Sequence, residues 1–273
     1  MSRGLNKTSL VIKTTPNLMN IVSYNVNGIR AAIAKGLLDW IDEHPFDIVC
    51  VQETKAHSGS VPVLLIESLG YQHHWHSAKR KGYSGVATFS KQRPTLIKKG
   101  MGIPEFDDEG RVLQTDFGEL TVVNCYFPNG SSRPERQAYK MRFLQTFAVW
   151  VEELLHQRPK VIVVGDFNIA RQAIDVYQSA RHQGSSGFLP EEREWLQRWL
   201  DTGFVDAFRK LHPLEISYSW WSNRGSAREN NQGWRIDYQA VSQDLGNSIR
   251  AVSHLRETIH SDHCPVLLEI DLD

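Results

Sequence analysis

Cysteine is scarce in this chain: Cys50, Cys125 and Cys264 are the only three among 273 residues. The number is odd and none has the paired spacing of a zinc site. Neither a disulfide framework nor a structural zinc cluster is therefore expected. Each lies in or beside a β-like run, which reads as a small buried thiol in reduced form. Long apolar stretches are missing as well, and none approaches the ~20 residues of a membrane span. Net charge is absent: 31 Lys and Arg balance 31 Asp and Glu. That argues against a protein that coats nucleic acid by charge alone. Lys79-Arg80-Lys81 and Lys98-Lys99 still allow a local cationic rim, although such runs also serve as plain solvated faces. Several signatures are lacking too: no Gly-x-Ser-x-Gly elbow, Walker loop, His-Glu-x-x-His helix or EF-hand occurs.

What is present is an ordinary globular composition, 41% hydrophobic and 23% charged, with enough apolar residues for a substantial core. No Pro/Gly/Ser-rich linker interrupts it and no short-period repeat occurs, so one domain over residues 20–273 is expected. Residues 1–19 carry Arg3, Lys7 and Lys13 and read as a flexible tail ahead of a second start at Met19, with a transit peptide as the alternative. Strands are expected at 21–25, 47–52, 71–75, 86–90, 111–117, 119–126 and 161–164, then at 218–221, 235–241, 249–255 and 266–272. Helices are expected at 29–44, 61–69, 134–155 and 190–200, the last with Pro190 at its start and two acids in its first turn. Residues 171–187 lose the pattern, and Gly184-Ser185-Ser186-Gly187 marks a loop. Strands mixed with long helices predict an α/β domain of sheets covered by helices.

Four polar clusters stand at the ends of these strands. They are Asn25 with Asn27, Gln52-Glu53, Gly165-Asp166-Phe167-Asn168 and Ser261-Asp262-His263. Side chains at buried strand ends converge on one sheet edge, so distant stretches can build one site. Hard carboxylate and amide oxygens suit magnesium or manganese, and few protein ligands would leave places for water and a phosphate. Glu53 offers one such oxygen, Asp262 a second and Asn25 a neutral one, although each alone is as readily a surface acid or a cap. Asp166 leaves a strand of the dry, two-sided kind, and desolvation raises a carboxyl toward a base's working range. Asn168 points to the same side if the chain stays extended, so its amide can donate to a phosphoryl oxygen. The plain alternative is an Asx-turn. Neighbours in an extended chain face opposite ways, so Asp262 is a poor partner for His263. Asp237, from another strand, fits better. An Asp–His pair would fix the tautomer and favour an imidazolium able to hold phosphate. Tyr126 can bring a phenol to the same edge, or simply pack.

Read in order, Ser23-Tyr24-Asn25-Val26-Asn27-Gly28-Ile29-Arg30, Gln52-Glu53-Thr54-Lys55, Tyr126-Phe127-Pro128-Asn129-Gly130, Gly165-Asp166-Phe167-Asn168, Gly233-Trp234-Arg235-Ile236-Asp237-Tyr238 and Ser261-Asp262-His263-Cys264-Pro265 resemble one family. It is the exonuclease III-like apurinic/apyrimidinic (AP) endonucleases of the endonuclease/exonuclease/phosphatase superfamily. The resemblance implies a four-layer α/β sandwich, two mainly antiparallel sheets packed face to face with helices outside. It implies Glu53 as principal metal ligand with Asn25 and Asp262 nearby, and Asp166 as the base that activates water. Asn168 and His263 become donors to the scissile phosphate, Asp237 the partner of His263, and Tyr126 a phosphate or leaving-group contact. Trp220, Trp234 and Ile236 would line a small apolar pocket for a flipped sugar without a base. Asn129, Lys55 and Arg181 are further substrate contacts. The chain departs from the family pattern where Arg171 replaces a His and the 177–186 loop lacks asparagines. There Arg181 could replace lost amide contacts and His182 could crowd the pocket.

The implied activity is hydrolysis of double-stranded DNA on the 5′ side of abasic sites, with Mg2+ as cofactor and Mn2+ as a substitute. Side activities on blocked 3′ ends follow: 3′-phosphodiesterase, 3′-phosphatase and 3′-to-5′ exonuclease. The alternatives are an enzyme devoted to 3′ ends, a small-molecule or phospholipid phosphoesterase, and a DNA-binding module without catalysis. A cytoplasmic monomer that acts on DNA and not at a membrane is expected.

Overall fold

The computed structural model describes residues 18–272. Most of the expected tail lies outside the described residues. Leu18 and Met19 belong to the first strand, where they pair with Asp271 and Ile270. Pairing thus begins two residues before the expected boundary. The first half of the chain forms β1 (Leu18–Asn25), β2 (Ile48–Gln52), β3 (Gln72–His76), β4 (Val86–Ser90), β5 (Leu96–Lys99), β6 (Val112–Phe117) and β7 (Leu120–Tyr126). Its helices are α1 (Ile29–Ala34), α2 (Leu37–Asp42), α3 (Val63–Ser68) and α4 (Pro104–Asp107). The second half forms β8 (Val161–Asp166), β9 (Phe204–Asp206), β10 (Trp220–Trp221), β11 (Gly233–Trp234), β12 (Asp237–Ser242), β13 (Ile249–His254) and β14 (Val266–Asp271). Its helices are α5 (Pro134–Gln157), α6 (Pro190–Asp201) and α7 (Ala207–Leu211). None of the described helices is long and apolar enough to cross a membrane.

The strands make two six-stranded sheets, β13-β14-β1-β2-β4-β3 and β5-β6-β7-β8-β12-β9, and a two-stranded ribbon, β10-β11. Pairing is antiparallel except at β1–β2 and β7–β8. Period-two alternation sorts the side chains. Ile21, Ile48 and Cys50 of one sheet meet Val122, Ile162, Val164 and Val241 of the other in a single apolar layer. Their neighbours point outward. Val22, Val49 and Val51 pack under α1 and α2 with Ile29, Leu37 and Ile41. Val123 and Val163 pack under α5 and α6 with Phe143, Phe147, Leu196 and Trp199. Helix, sheet, sheet and helix therefore stack as four layers, with central strands such as β2, β7 and β8 buried on both faces. A full aliphatic burial contributes roughly 1.5–3 kcal/mol, and a one-residue slip would exchange the two faces of a strand.

Some elements differ from expectation. The helix expected over 29–44 is two helices, because Gly36 takes a left-handed φ of 93° between them. β5 escapes the pattern since all four of its residues are exposed at a sheet edge, and β9 is only three residues long. β8 is parallel to β7 but antiparallel to β12.

The topology brings strand ends together. Asn25 closes β1 beside Gln52 of β2, and Tyr126 closes β7 beside Asp166 of β8. Asp237 opens β12 opposite Asp166. Polar side chains stitch the sheets near this edge: Gln52 Nε2 donates to Asn124 Oδ1 at 2.8 Å, and Gln239 Nε2 donates to the Val266 carbonyl at 2.7 Å.

Candidate active site

Asp166 sits at the centre of that edge, 1% exposed. Its Oδ2 accepts from Asn25 Nδ2 at 2.8 Å, a bond between the two sheets. Its Oδ1 accepts from the backbone N–H of Asn168 at 2.8 Å. Burial first, and then the charge of Asp237, push the Asp166 carboxyl up to about 7, against the pull of His263. His263 Nδ1 lies 2.9 Å from Asp237 Oδ2, so the Asp–His pair sought in the sequence comes together. Ser219 Oγ also donates to Asp237 Oδ2, at 2.6 Å, and accepts from the backbone N–H of Ile236 and Asp237. Burial alone would lower the His263 pKa; the Asp237 charge and hydrogen bond, helped by Asp166 and Asp262, lift it to about 10 instead. An imidazolium with a carboxylate on Nδ1 presents Nε2–H, and that nitrogen is 3.8 Å from Asp166 Oδ2. This is too long for a hydrogen bond, so the Nε2–H can serve a further acceptor.

Asn168 departs from the extended course. Its φ is 51°, and the chain turns there as an Asx-turn about Asp166. Its Nδ2 donates to the Phe127 carbonyl at 3.0 Å and to Asp166 Oδ2 at 3.2 Å. Both amide hydrogens are thus engaged, and donation to a phosphate requires exchange of one of them.

Glu53 and Lys55 also take left-handed φ values, 54° and 51°. Non-glycine residues hold such angles at a cost of about 1–3 kcal/mol, and only where surroundings fix them. Here the N–H groups of Thr54 and Lys55 donate to Gly85 and Ser84, and Gly28 N–H donates to the Glu53 carbonyl. The corner lifts the Glu53 carboxylate to the cavity with its side chain 20% exposed. Tyr126 hydroxyl donates to Glu53 Oε1 at 2.9 Å, and Lys55 Nζ lies 3.6 Å from the same oxygen. Burial, then the Glu53 charge, keep the Tyr126 phenol protonated. Lys55 Nζ also donates to Asn27 Oδ1, and Asn27 Nδ2 donates to Asp262 Oδ1 at 2.9 Å. Trp220 Nε1 donates to Asp262 Oδ2 at 3.1 Å. Burial raises the Asp262 carboxyl, but the His263 charge and these hydrogen bonds outweigh it, and its pKa falls below the usual value.

Two donor sets compete for a cation. Asp166, Asp237 and His263 have ligand atoms within 4.8 Å of one another. A protonated imidazole offers no lone pair, so that trio suits proton work better. Glu53, Asn25 and Asp262 offer hard oxygens at a half-open edge, the chemistry a magnesium-sized ion prefers. They fit a divalent cation.

The cavity in front of these groups holds about 410 Å³. Of the residues expected from the sequence, Asn25, Glu53, Tyr126, Asn129, Asp166, Asn168, Asp262 and His263 line it. Trp220, Trp234 and Ile236 form its apolar wall, with the two indoles edge to face at 6.3 Å. Asn129 Nδ2 donates to Asn168 Oδ1 at 3.1 Å. Asp237 and Lys55 stand behind the lining and touch it through His263 and Glu53. Arg181 is outside this set: it is exposed on the loop after β8 and does not line the cavity. Its neighbour His182 does approach, with its ring 5.1 Å from Trp234. The sequence gives no sign of Ser219, a lone serine near a strand, and marks Ser185 and Ser186 only as loop; Ser131, beside Ser132, carries no signal of its own either.

Known proteins resemble this chain over most of its length. An exodeoxyribonuclease of Bacillus subtilis (strain 168) is 42% identical over 93% of this chain and 100% of its own length. A DNA-(apurinic or apyrimidinic site) endonuclease of Dictyostelium discoideum is 34% identical over 96% of this chain and 73% of its own length. Among solved structures, the 3′ phosphatase NExo from Neisseria, bound to product DNA hairpin, superposes with a TM-score of 0.88 at 28% identity, covering 93% of this chain and 100% of that one. The pattern of one family runs over residues 22–263 and so takes in each strand end that builds the site. This chain belongs to the endonuclease/exonuclease/phosphatase family.

Proposed function

We propose that this protein is a divalent-metal DNA repair nuclease that incises double-stranded DNA 5′ to an abasic site and also clears blocked 3′ ends. Residues 20–273 act as one catalytic domain, as a monomer in the cytoplasm. The observation that carries this is a buried Asp166 beside an imidazolium, facing a cavity walled by two indoles. Asp166, ionised near neutral pH, takes a proton from a water in the cavity. The water oxygen forms the new bond to phosphorus while the bond to the 3′ oxygen breaks. That oxygen keeps the electron pair and gains a proton from solvent, leaving a 3′-hydroxyl and a 5′ deoxyribose phosphate. His263, held by Asp237, offers Nε2–H to a phosphoryl oxygen and stabilises the charge that grows there. Tyr126 keeps its proton and offers a hydrogen bond to a phosphate or leaving oxygen. A magnesium ion held by Glu53, with Asn25 and Asp262 nearby, would supply further charge stabilisation, and manganese could substitute. Trp220, Trp234 and Ile236 accept a sugar that lacks its base and exclude a full nucleotide by shape.

One observation favours a second reading, an enzyme devoted to 3′ ends: the His182 ring packs edge to face, 5.1 Å away, on Trp234 of the pocket wall. Three DNA substrates separate the two: a duplex with an internal tetrahydrofuran, a nick with a 3′-phosphate, and an intact duplex, each with and without magnesium. Incision at the tetrahydrofuran is the expected result. Attack confined to 3′ ends would leave the second reading in its place.

A further inference from the structure

Residues 255–265, between β13 and β14, carry Ser261, Asp262 and His263 but form no helix or strand of their own. Carbonyl groups in such a segment need donors from elsewhere. One side chain supplies most of them. Arg228 Nη1 donates to the Ser261 carbonyl at 2.9 Å and the His263 carbonyl at 3.4 Å. Its Nη2 donates to the Arg256 and Thr258 carbonyls at 2.8 and 2.6 Å. Lys35 Nζ donates to the His260 carbonyl at 3.1 Å. The guanidinium lies over the Trp221 ring, 4.7 Å from its centre, and the Trp221 backbone N–H donates to the Asp262 carbonyl at 3.0 Å. Arg228 itself belongs to the loop joining β10 to β11, the ribbon whose Trp220 and Trp234 wall the cavity.

We propose that Arg228 is a positioning residue for catalysis. Its fork fixes the backbone on both sides of Asp262. It thereby keeps His263 Nδ1 on Asp237 and holds the Asp262 carboxylate between Asn27 and Trp220. The role rests on Asp262 and His263 being working groups, as proposed above. Only a planar fork reaches carbonyls on both flanks; an ammonium has the charge but not the geometry. Loosening the segment displaces two site residues together without removing either.

The test uses the full chain with Arg228→Ala and Arg228→Lys, an abasic duplex and magnesium. In each variant kcat is expected to fall about ten- to a hundredfold, the usual consequence of a small misplacement, while KM stays within about twofold. Guanidinium ion should restore part of the kcat of Arg228→Ala and leave wild type unchanged. The downfield Nδ1–H proton resonance of His263 should broaden in both variants. Wild-type kcat in folded Arg228→Lys would overturn the proposal, as would a loss confined to KM, which would make Arg228 a DNA contact. A lower melting temperature with kcat and the His263 resonance intact would also overturn it, leaving only a structural role. Should Arg228→Ala not fold, the kcat and resonance of Arg228→Lys decide. Wild type run alongside keeps the two ideas apart: no incision by wild type defeats the functional reading, whereas incision by all three proteins at the wild-type rate defeats only the role of Arg228.

Discussion

The roles proposed for Asp166 and His263 need opposite protonation states. As the proposed base Asp166 acts only without its proton, and as the proposed phosphate donor His263 acts only with one. Incision should therefore rise with pH up to about 7, the value to which burial lifts Asp166, and decline above about 10, where His263 loses its charge. Rates of kcat/KM measured across pH check both limbs, and full activity at pH 5 would show that another group is the base. Asp166→Asn keeps the size and removes the basicity. Its turnover should fall by roughly 10²–10⁴, the scale of a lost general base, while binding to an abasic duplex persists. Wild-type-like turnover in that variant would mean the base is misassigned. At this scale the sequence is informative where alternation applies: Asp262 and His263 face apart, which directs the search for a partner to Asp237. It is silent on Ser219, which stands one residue before β10 and meets Asp237 at the start of β12 only in the folded chain.

Elements in this molecule are joined by buried charge. Lys140 of α5 meets Glu192 of α6 at 2.6 Å with both side chains 0% exposed. Lys140 Nζ also donates to the Asn168 carbonyl at 2.9 Å, and Glu192 Oε2 accepts from Gly187 N–H at 2.6 Å. The pair ties two helices to the Asp166–Asn168 corner and to the end of the loop beyond it. Glu192→Ala leaves a buried ammonium unpaired and should destabilise the fold by about 3–5 kcal/mol; urea unfolding measures it, and a change within error would remove this pair from the structural account. A second knot links the loop after β8 to β9, to α7 and to Arg235, which lies between β11 and β12. Burial favours the neutral form of Asp175, but Arg235 and Arg209 outweigh it and lower its pKa to about 2. A depressed carboxyl stabilises the folded state above its unfolded pKa of about 3.9 and loses that contribution as pH falls through the folded value. The melting temperature should therefore drop between about pH 4 and pH 2, and a scan of Asp175→Asn should show a smaller drop from a lower start. Element existence is readable wherever burial is two-sided, as in β8. It is unreadable in β5, whose exposed edge has no inward face to pattern.

At the scale of the whole molecule, the site lies outside the apolar layers. Three clusters between and outside the sheets hold the sandwich together, and Glu53, Asn25 and Asp262, the residues proposed to hold a cation, belong to none of them. EDTA should abolish incision and magnesium should restore it, while circular dichroism and the melting temperature change little. Loss of the fold on chelation would instead make the metal structural. Zero net charge also leaves recognition to local features, so the cavity and its rim have to select DNA.

The sequence by itself determined which residue types are available and where buried strands end, because alternation and polar punctuation are local properties of the chain. It also carried the ordered motifs that resemble the family. The turn at Asn168 and the place of Ser219 beside the Asp237–His263 pair were decided only by tertiary structure, as were the distances within that pair and between His182 and Trp234, whose partnership the sequence already suggests. Strand order and sheet-to-sheet register set these distances, and neither is written in any short stretch of residues.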